Sequence, residues 1–549
     1  MSYVSFRFLF FVAGTVLAYF LYPVIFRRKS EYQWLVLLAA SWLFYWLCGG
    51  VYLLLILWTS FAIYLGARIL QRLSEEQKRA LSAVQLREEK KRIRAQFLRR
   101  KRIVLWSVLV MSFGILAFFK YVPGVVETLT RGQRTLSLLV PVGISFYTFQ
   151  AAGYLIDVYN GNVKAEKSFL KTALFVSFFP QIIQGPIGFW DPVAGDLFAR
   201  HRPDWSRCKH GFELILWGYL RKMVLADRIV NDIYLVANDY EKYSGSMAVL
   251  AVLLYALQLY ADFAGGVDIS RGIAEMLGIR LPENFRQPYL ATSINDYWRR
   301  WHITLGAWMK KYIFYPLALT PFFASAGKRL AKTRFGHTDF GRHASKVLPA
   351  SLSCIVVFLV VGIWHGAGGR YVAFGLWNGL IIFASMLLEP LFPVWKRACG
   401  ITALCRWRWG ARLYKLFQIL RTFLLVFVGY VFDVAQSFQA AMGMLRRMVT
   451  NVQVSPEAFY HEINSTYQNF NSWSLMIVVG LAGVMLLTDL YHERHDPHLG
   501  GDGVRLRERI DRGSFVKEWV LLFACICAIL LLGIYGPGYD PVKFVYANF

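Results

Sequence analysis

Apolar runs long enough to cross a bilayer recur along this chain, and basic clusters separate them. A hydrocarbon core about 30 Å thick takes roughly 20 apolar residues as a helix, and lipid leaves no partner for an unpaired backbone amide. Helices are therefore the expected form. With 56% hydrophobic residues over 549 positions and a positive mean hydropathy, a soluble globular class is excluded. The 61 Lys and Arg against 34 Asp and Glu raise the alternative of a nucleic-acid binder. In a polytopic chain the same excess is read as topology, with cations held in cytoplasmic loops beside anionic headgroups, so no nucleic acid is expected. Seven cysteines without CxxC spacing imply neither a disulfide framework nor a zinc site.

Arg27, Arg28 and Lys29 follow a first span at residues 4–26, which places the N-terminus outside and this loop inside. Spans at 33–48 and 51–66 turn through Gly49 and Gly50. The segment 68–102 then carries thirteen Lys or Arg against four Glu, with Leu70, Leu73, Leu81 and Val84 at roughly helical intervals. It reads as an amphipathic surface helix, either a headgroup-binding face or a docking site for an acidic carrier protein. Further spans are expected at 103–121, 136–159, 416–432, 474–491 and 518–535, the last delivering the C-terminus outside. The fold class is all-α and polytopic, with roughly twelve spans, some re-entrant. The expected organisation is N-terminal spans over 1–135, a core over 136–390, C-terminal spans over 391–536 and an outer tail over 537–549. His492, His495 and His498 sit beside Asp496 and Pro497 in a charged loop, and no metal site is assigned to them.

Between residues 169 and 319 the apolar runs shorten and are broken by Pro180, Pro186, Pro282, Pro288 and Pro316. Irregular backbone at membrane depth needs a covering of protein or a water-filled cavity, so this block is the natural place for a tunnel. Just beyond it lies CIVVFLVVGIWHGAGGRYVAFGLWNG, residues 354–379, a helical hairpin with His365 at its glycine-rich turn. The eighteen residues 347–364 rise about 27 Å, which sets His365 toward the outer side. A histidine there is either an interfacial helix-end residue or a functional site.

Upstream, residues 295–316 read NDYWRRWHITLGAWMKKYIFYP. Together with the hairpin, with PVGISFYTFQAAGYLIDVYNG (141–161), SFFPQIIQGPI (177–187) and YADFAGGVDISRGIAEMLGIRLPENFRQPYLATSINDYW (260–298), it resembles the membrane-bound O-acyltransferases. Within them it is similar to the bacterial branch of the alginate and peptidoglycan O-acetylases and the teichoic-acid D-alanylation acyltransferases. The resemblance implies that His365 occupies the catalytic histidine position and His302 the second, which is histidine in this branch.

Acyl transfer to a hydroxyl needs a base, a polarised thioester carbonyl and exclusion of bulk water. An imidazole with an ordinary pKa near 6.5 suits the first, and His365 is the candidate base. His302 is either catalytic or a structural histidine bonded to a backbone carbonyl. Its spacing from Arg299 puts both on one side of a helix while Trp298 and Trp301 pack on another. Arg299 and Arg300, with Trp298 and Asn378, are candidates for binding the donor; the arginines suit phosphate equally with broken-helix carbonyls. Tyr371, Phe374 and Trp377 form a stripe read as core packing or as a substrate platform.

The chain ends KFVYANF. Its F-x-Y-x-x-F pattern resembles the C-terminus of the small protein that accompanies the D-alanylation acyltransferase, which implies an acyl-relay role for Tyr546 with Phe544 and Phe549 as anchors; the alternative is an aromatic interfacial anchor. The resemblance implies no bound cofactor, an acyl thioester substrate (acetyl-CoA or an acyl carrier protein), a separate extracytoplasmic acyltransferase partner, contact with membrane lipids, and residence in the inner membrane. The expected activity is acyl transfer, acetyl first, to a cell-envelope polysaccharide or peptidoglycan. D-alanyl transfer toward teichoic acid and a non-enzymatic flippase are the rivals.

Overall fold

A computed structural model describes residues 4–130, 136, 138, 140–182, 184–467 and 472–535. Of the described residues 82% are helical, and none of them lies in a strand. Nine helical stretches among them are long and apolar enough to cross a membrane. The protein is therefore all-α and polytopic. Burial separates two kinds of span. Phe515–Leu532 keeps only 6% of its apolar window inside the molecule, whereas Gly245–Met276 buries 78% of its own, as a core helix must.

The described residues of 1–219 and 266–282 form one compact unit, and those of 220–265 and 283–539 form another. In the first, Trp34–Gly49 and Leu53–Ser82 are separated by a turn at Gly50, whose φ of 52° lies in the left-handed region. The basic segment 68–102 departs from expectation. It is not one amphipathic helix on the surface but the facing ends of two long helices, Leu53–Ser82 and Arg87–Leu129, joined by a turn at 83–86. Lys101 donates to Gln77 across them at 2.7 Å. Helix propensity and pairing carry the apolar helices onward into the charged sequence, where the hydropathy pattern marks a boundary but no break.

The broken segments appear where the prolines fall. Phe169–Ser177 stops at Phe178, and only the four residues Phe179–Ile182 are helical before the chain turns at Gln184. Buried side chains satisfy the backbone groups that the breaks release. Ser41 accepts from the Phe179 N–H at 3.1 Å, Gln181 donates to the Pro186 carbonyl at 3.0 Å, Gln150 accepts from the Gly188 N–H at 3.1 Å, and Ser270 donates to the Pro180 carbonyl. Without water, each such bond removes a cost of several kcal/mol.

The second unit contains the hairpin. Its first arm, Asp339–His365, starts eight residues before the apolar run at Val347, capped by Thr338, whose hydroxyl accepts from the Gly341 N–H at 3.0 Å. The second arm is Gly369–Leu387. Glycines bring the two together: a Cβ on Gly362 would lie 2.2 Å from the Tyr371 carbonyl oxygen, and one on Gly375 would lie 2.4 Å from that of Phe358. Close backbone approach through small residues is how helices pack when lipid supplies no hydrophobic drive. Two buried cations in this unit are each paired with two carboxylates. Lys222 lies between Asp227 at 2.7 Å and Asp262 at 2.5 Å, and Arg300 between Asp296 at 2.8 Å and Glu493 at 2.5 Å, which is the condition for holding charge away from water.

Candidate active site

The WRRWH segment does not form a single helix. Ile294–Arg300 is seven residues long, Trp301 is extended at φ −98°, ψ 128°, and His302 takes φ 45°, ψ 54° before Ile303–Met309 begins. The shared helical face expected for Arg299 and His302 is therefore absent. A non-glycine residue in the left-handed region is sterically disfavoured and persists only where its surroundings impose it. Here they do: the Ile303 N–H donates to the Asn284 carbonyl and the Arg286 N–H to the Arg300 carbonyl, both at 2.9 Å. The extended segment after Pro282 thus clamps the break from the side.

The break turns His302 inward, where it is 2% exposed. Its Nδ1 lies 3.1 Å from the Asn284 side-chain oxygen. The Phe263 ring meets the imidazole edge-on at a centroid separation of 4.8 Å. Burial among aromatic rings disfavours the charged form of the imidazole.

His365 is the last residue of the hairpin's first arm and only 7% exposed. It is thus a closely packed side chain. Trp364 lies 4.9 Å from it, Phe374 meets it at 5.4 Å, and Tyr371 stacks on it at 6.2 Å with 23° between planes. Two members of the aromatic stripe therefore pack on the histidine, while Trp377 turns aside and donates to the Leu425 carbonyl at 2.8 Å. Gly366 makes the Tyr371 stack possible, since a Cβ there would lie 2.2 Å from the Tyr371 ring. The Trp364 indole meets both imidazoles, with His302 at 6.2 Å. Two histidines 63 positions apart thus share one buried aromatic pocket.

The remaining expected residues fall as follows. Trp298 Nε1 donates to Asn378 Oδ1 at 3.2 Å, which docks the WRRWH segment onto the hairpin's second arm. Arg300 is occupied by its two carboxylates, and Arg299 is exposed. Tyr546, Phe544 and Phe549 lie outside the described residues. Sequence reasoning missed Asn284, Phe263 and Trp364, and also Arg370, which donates to Tyr371 Oη at 2.7 Å and to the backbone carbonyls of Asp433 and Ala435. Asn284 stands inside a quoted block, in PENF, yet an asparagine in a loop carries no signal of what it will bond.

Fold and pocket define a polytopic helical membrane protein with a buried histidine pair at broken helices. Residues 164–333, which include His302 but not His365, match the model of MBOAT, the membrane-bound O-acyltransferase family; the chain carries a domain of that family. It is similar to a protein named probable alginate O-acetylase AlgI from Pseudomonas aeruginosa, 30% identical over 371 residues, 65% of this chain and 62% of that one. A peptidoglycan O-acetyltransferase from Helicobacter pylori is 28% identical over 379 residues, 64% of this chain and 65% of its own. A teichoic acid D-alanyltransferase from Bacillus subtilis is 25% identical over 308 residues, 54% and 69%. The alignment thus spans less than two thirds of the first of these relatives.

Proposed function

We propose that this protein is an O-acyltransferase that takes an acetyl group from a cytoplasmic thioester, on CoA or an acyl carrier protein, and passes it across the cytoplasmic membrane for O-acetylation of an envelope polysaccharide or peptidoglycan. The observation that carries this reading is the meeting of the buried His302 and His365 side chains around Trp364. A flippase gives no reason for two neighbouring imidazoles. In the reaction His365 takes the proton of the attacking hydroxyl as its oxygen bonds to the acyl carbon; the carbon–sulfur bond breaks, and the thiolate recovers that proton. Walls of tryptophan, tyrosine and phenylalanine exclude the water that would hydrolyse the thioester. Acetyl is preferred over D-alanyl because the two O-acetylating relatives are the more similar, at 30% and 28% identity against 25%.

In this reading both termini are extracytoplasmic, Tyr546 is the first acceptor of the acyl group, Phe544 and Phe549 seat the tail, and a separate extracytoplasmic transferase completes delivery. The test supplies purified protein in nanodiscs with labelled acetyl or D-alanyl thioesters and follows thiol release and label on protein. Acetyl-dependent thiol release that His365→Ala abolishes is expected. No release with any thioester would overturn the enzymatic reading, and release with the D-alanyl donor alone would reassign the acyl group. Tyr546→Phe keeps the ring and removes the oxygen; label on the protein that survives this change excludes the relay.

A further inference from the structure

His302 enters the proposed reaction with an unassigned role, and three bonds assign it. The Thr304 backbone N–H lies 3.0 Å from Asn284 Oδ1. A backbone amide is a donor only, so the asparagine atom it meets is the oxygen, and the usual ambiguity of an amide side chain disappears. The same oxygen lies 2.9 Å from the Thr304 hydroxyl and 3.1 Å from His302 Nδ1. A carbonyl-type oxygen accepts only. His302 Nδ1 must therefore be the donor, and a neutral imidazole has one N–H. The lone pair is left on Nε2.

We propose that Asn284 is a positioning residue that locks His302 as its Nδ1–H tautomer and presents Nε2 to the pocket as a hydrogen-bond acceptor. This deepens the acyl-transfer reading and rests on it for its chemical meaning. Asn284 is 1% exposed, and its own backbone carbonyl receives the Ile303 N–H at 2.9 Å. The clamp that forces His302 into the left-handed region thus also fixes its ring. Phe263, edge-on at 4.8 Å, blocks rotation of the imidazole away from the asparagine. The role of His302 is thereby narrowed. A neutral Nδ1–H imidazole whose single proton is held by Asn284 cannot donate to a thioester oxygen, so it is not part of an oxyanion hole. It serves a donor, which in acyl transfer to a hydroxyl means the acceptor O–H or an N–H of His365.

The experiment uses the full-length protein in lipid, with ¹⁵N-labelled histidine. Solid-state NMR reads the protonation of each ring nitrogen, and the His302 pair is identified by its loss in His302→Gln. A protonated Nδ1 and a bare Nε2 at neutral pH are expected in the wild type. In Asn284→Ala the preference is lost, and acetyl transfer falls roughly 10–100-fold, the range seen when a hydrogen-bond partner that orients a functional histidine is removed. That loss falls on kcat, with KM for acetyl thioester unchanged. Should the alanine variant fail to fold, Asn284→Asp keeps the accepting oxygen, and it is expected to retain the tautomer and transfer within about tenfold of wild type. A wild-type spectrum with the proton on Nε2, or an Asn284→Ala protein transferring at the wild-type rate, overturns the proposal. If no thioester supports transfer by the wild type, the functional reading fails instead, and the spectrum still decides the tautomer.

Discussion

Burial changes what a mutation at His365 means. The side chain packs on Trp364, Tyr371 and Phe374, so His365→Ala removes both a base and a contact. We expect transfer to fall by roughly 10²–10⁴ and thermal stability to fall by about 1–3 kcal/mol. His365→Gln fills most of the space, and it should restore much of the melting temperature in detergent but none of the transfer. A glutamine variant that transfers acetyl would remove His365 from the chemistry. Arg300 gives the second residue-scale prediction. With its guanidinium held by Asp296 and by Glu493, Arg300→Met strands carboxylates and should cost about 3–5 kcal/mol. Adding Glu493→Gln should recover a good part of that loss. In the stable double variant the KM for the acyl thioester is expected to be unchanged; a large rise would show that Arg300 binds donor in spite of its partners.

At the scale of elements, the pocket depends on two interruptions and one close contact. The helix break at Trp301 and His302 turns the second imidazole inward, the Gly366 turn lets Tyr371 reach the first, and the glycine seam holds the hairpin arms at the right distance. Gly375→Ala places a methyl 2.4 Å from the Phe358 carbonyl oxygen, whereas the nearest atom to a methyl on Gly379 is the Ile355 Cα at 3.0 Å. The first substitution must separate the arms, and we expect it to cost about 1–3 kcal/mol and to depress transfer as His365 shifts. Gly379→Ala should be the milder of the two by both thermal melting and transfer. Equal effects would show that the seam does not set the pocket.

For the whole molecule the open variable is sidedness. Basic clusters favour the cytoplasm, and the turn at residues 83–86 lies within the segment 68–102, which holds thirteen Lys or Arg against four Glu. In a cysteine-free background, a cysteine in place of Gln85 should be shielded from an impermeant thiol reagent applied outside, while one appended after Phe549 should react. Reaction of both from the same side would reverse the orientation at one end and put Tyr546 on the wrong face for an outward relay.

Hydropathy is a local free energy, a sum of residue transfer costs over a window of about twenty positions, and so most long apolar helices, the broken central block and the His365 hairpin were legible in the sequence, whereas 136–159, expected as a span, holds the shorter and mostly buried helix Ile144–Asn160. The class of the fold was legible for the same reason, since lipid admits little besides helices and closed barrels. Extents were less so: the basic segment 68–102 and the residues before Val347 are helical because neighbouring helices pair with them, which no window reports. The site itself was half legible. The motifs named His302 and His365, but the left-handed φ of His302, the burial of His365 and the occupation of Arg300 by Glu493, 193 positions away, were decided by tertiary structure. Asn284 was silent for the same reason. A histidine's tautomer belongs to whatever oxygen the fold sets beside it, and only the folded chain brings Asn284 Oδ1, the Thr304 amide and the His302 ring to one point.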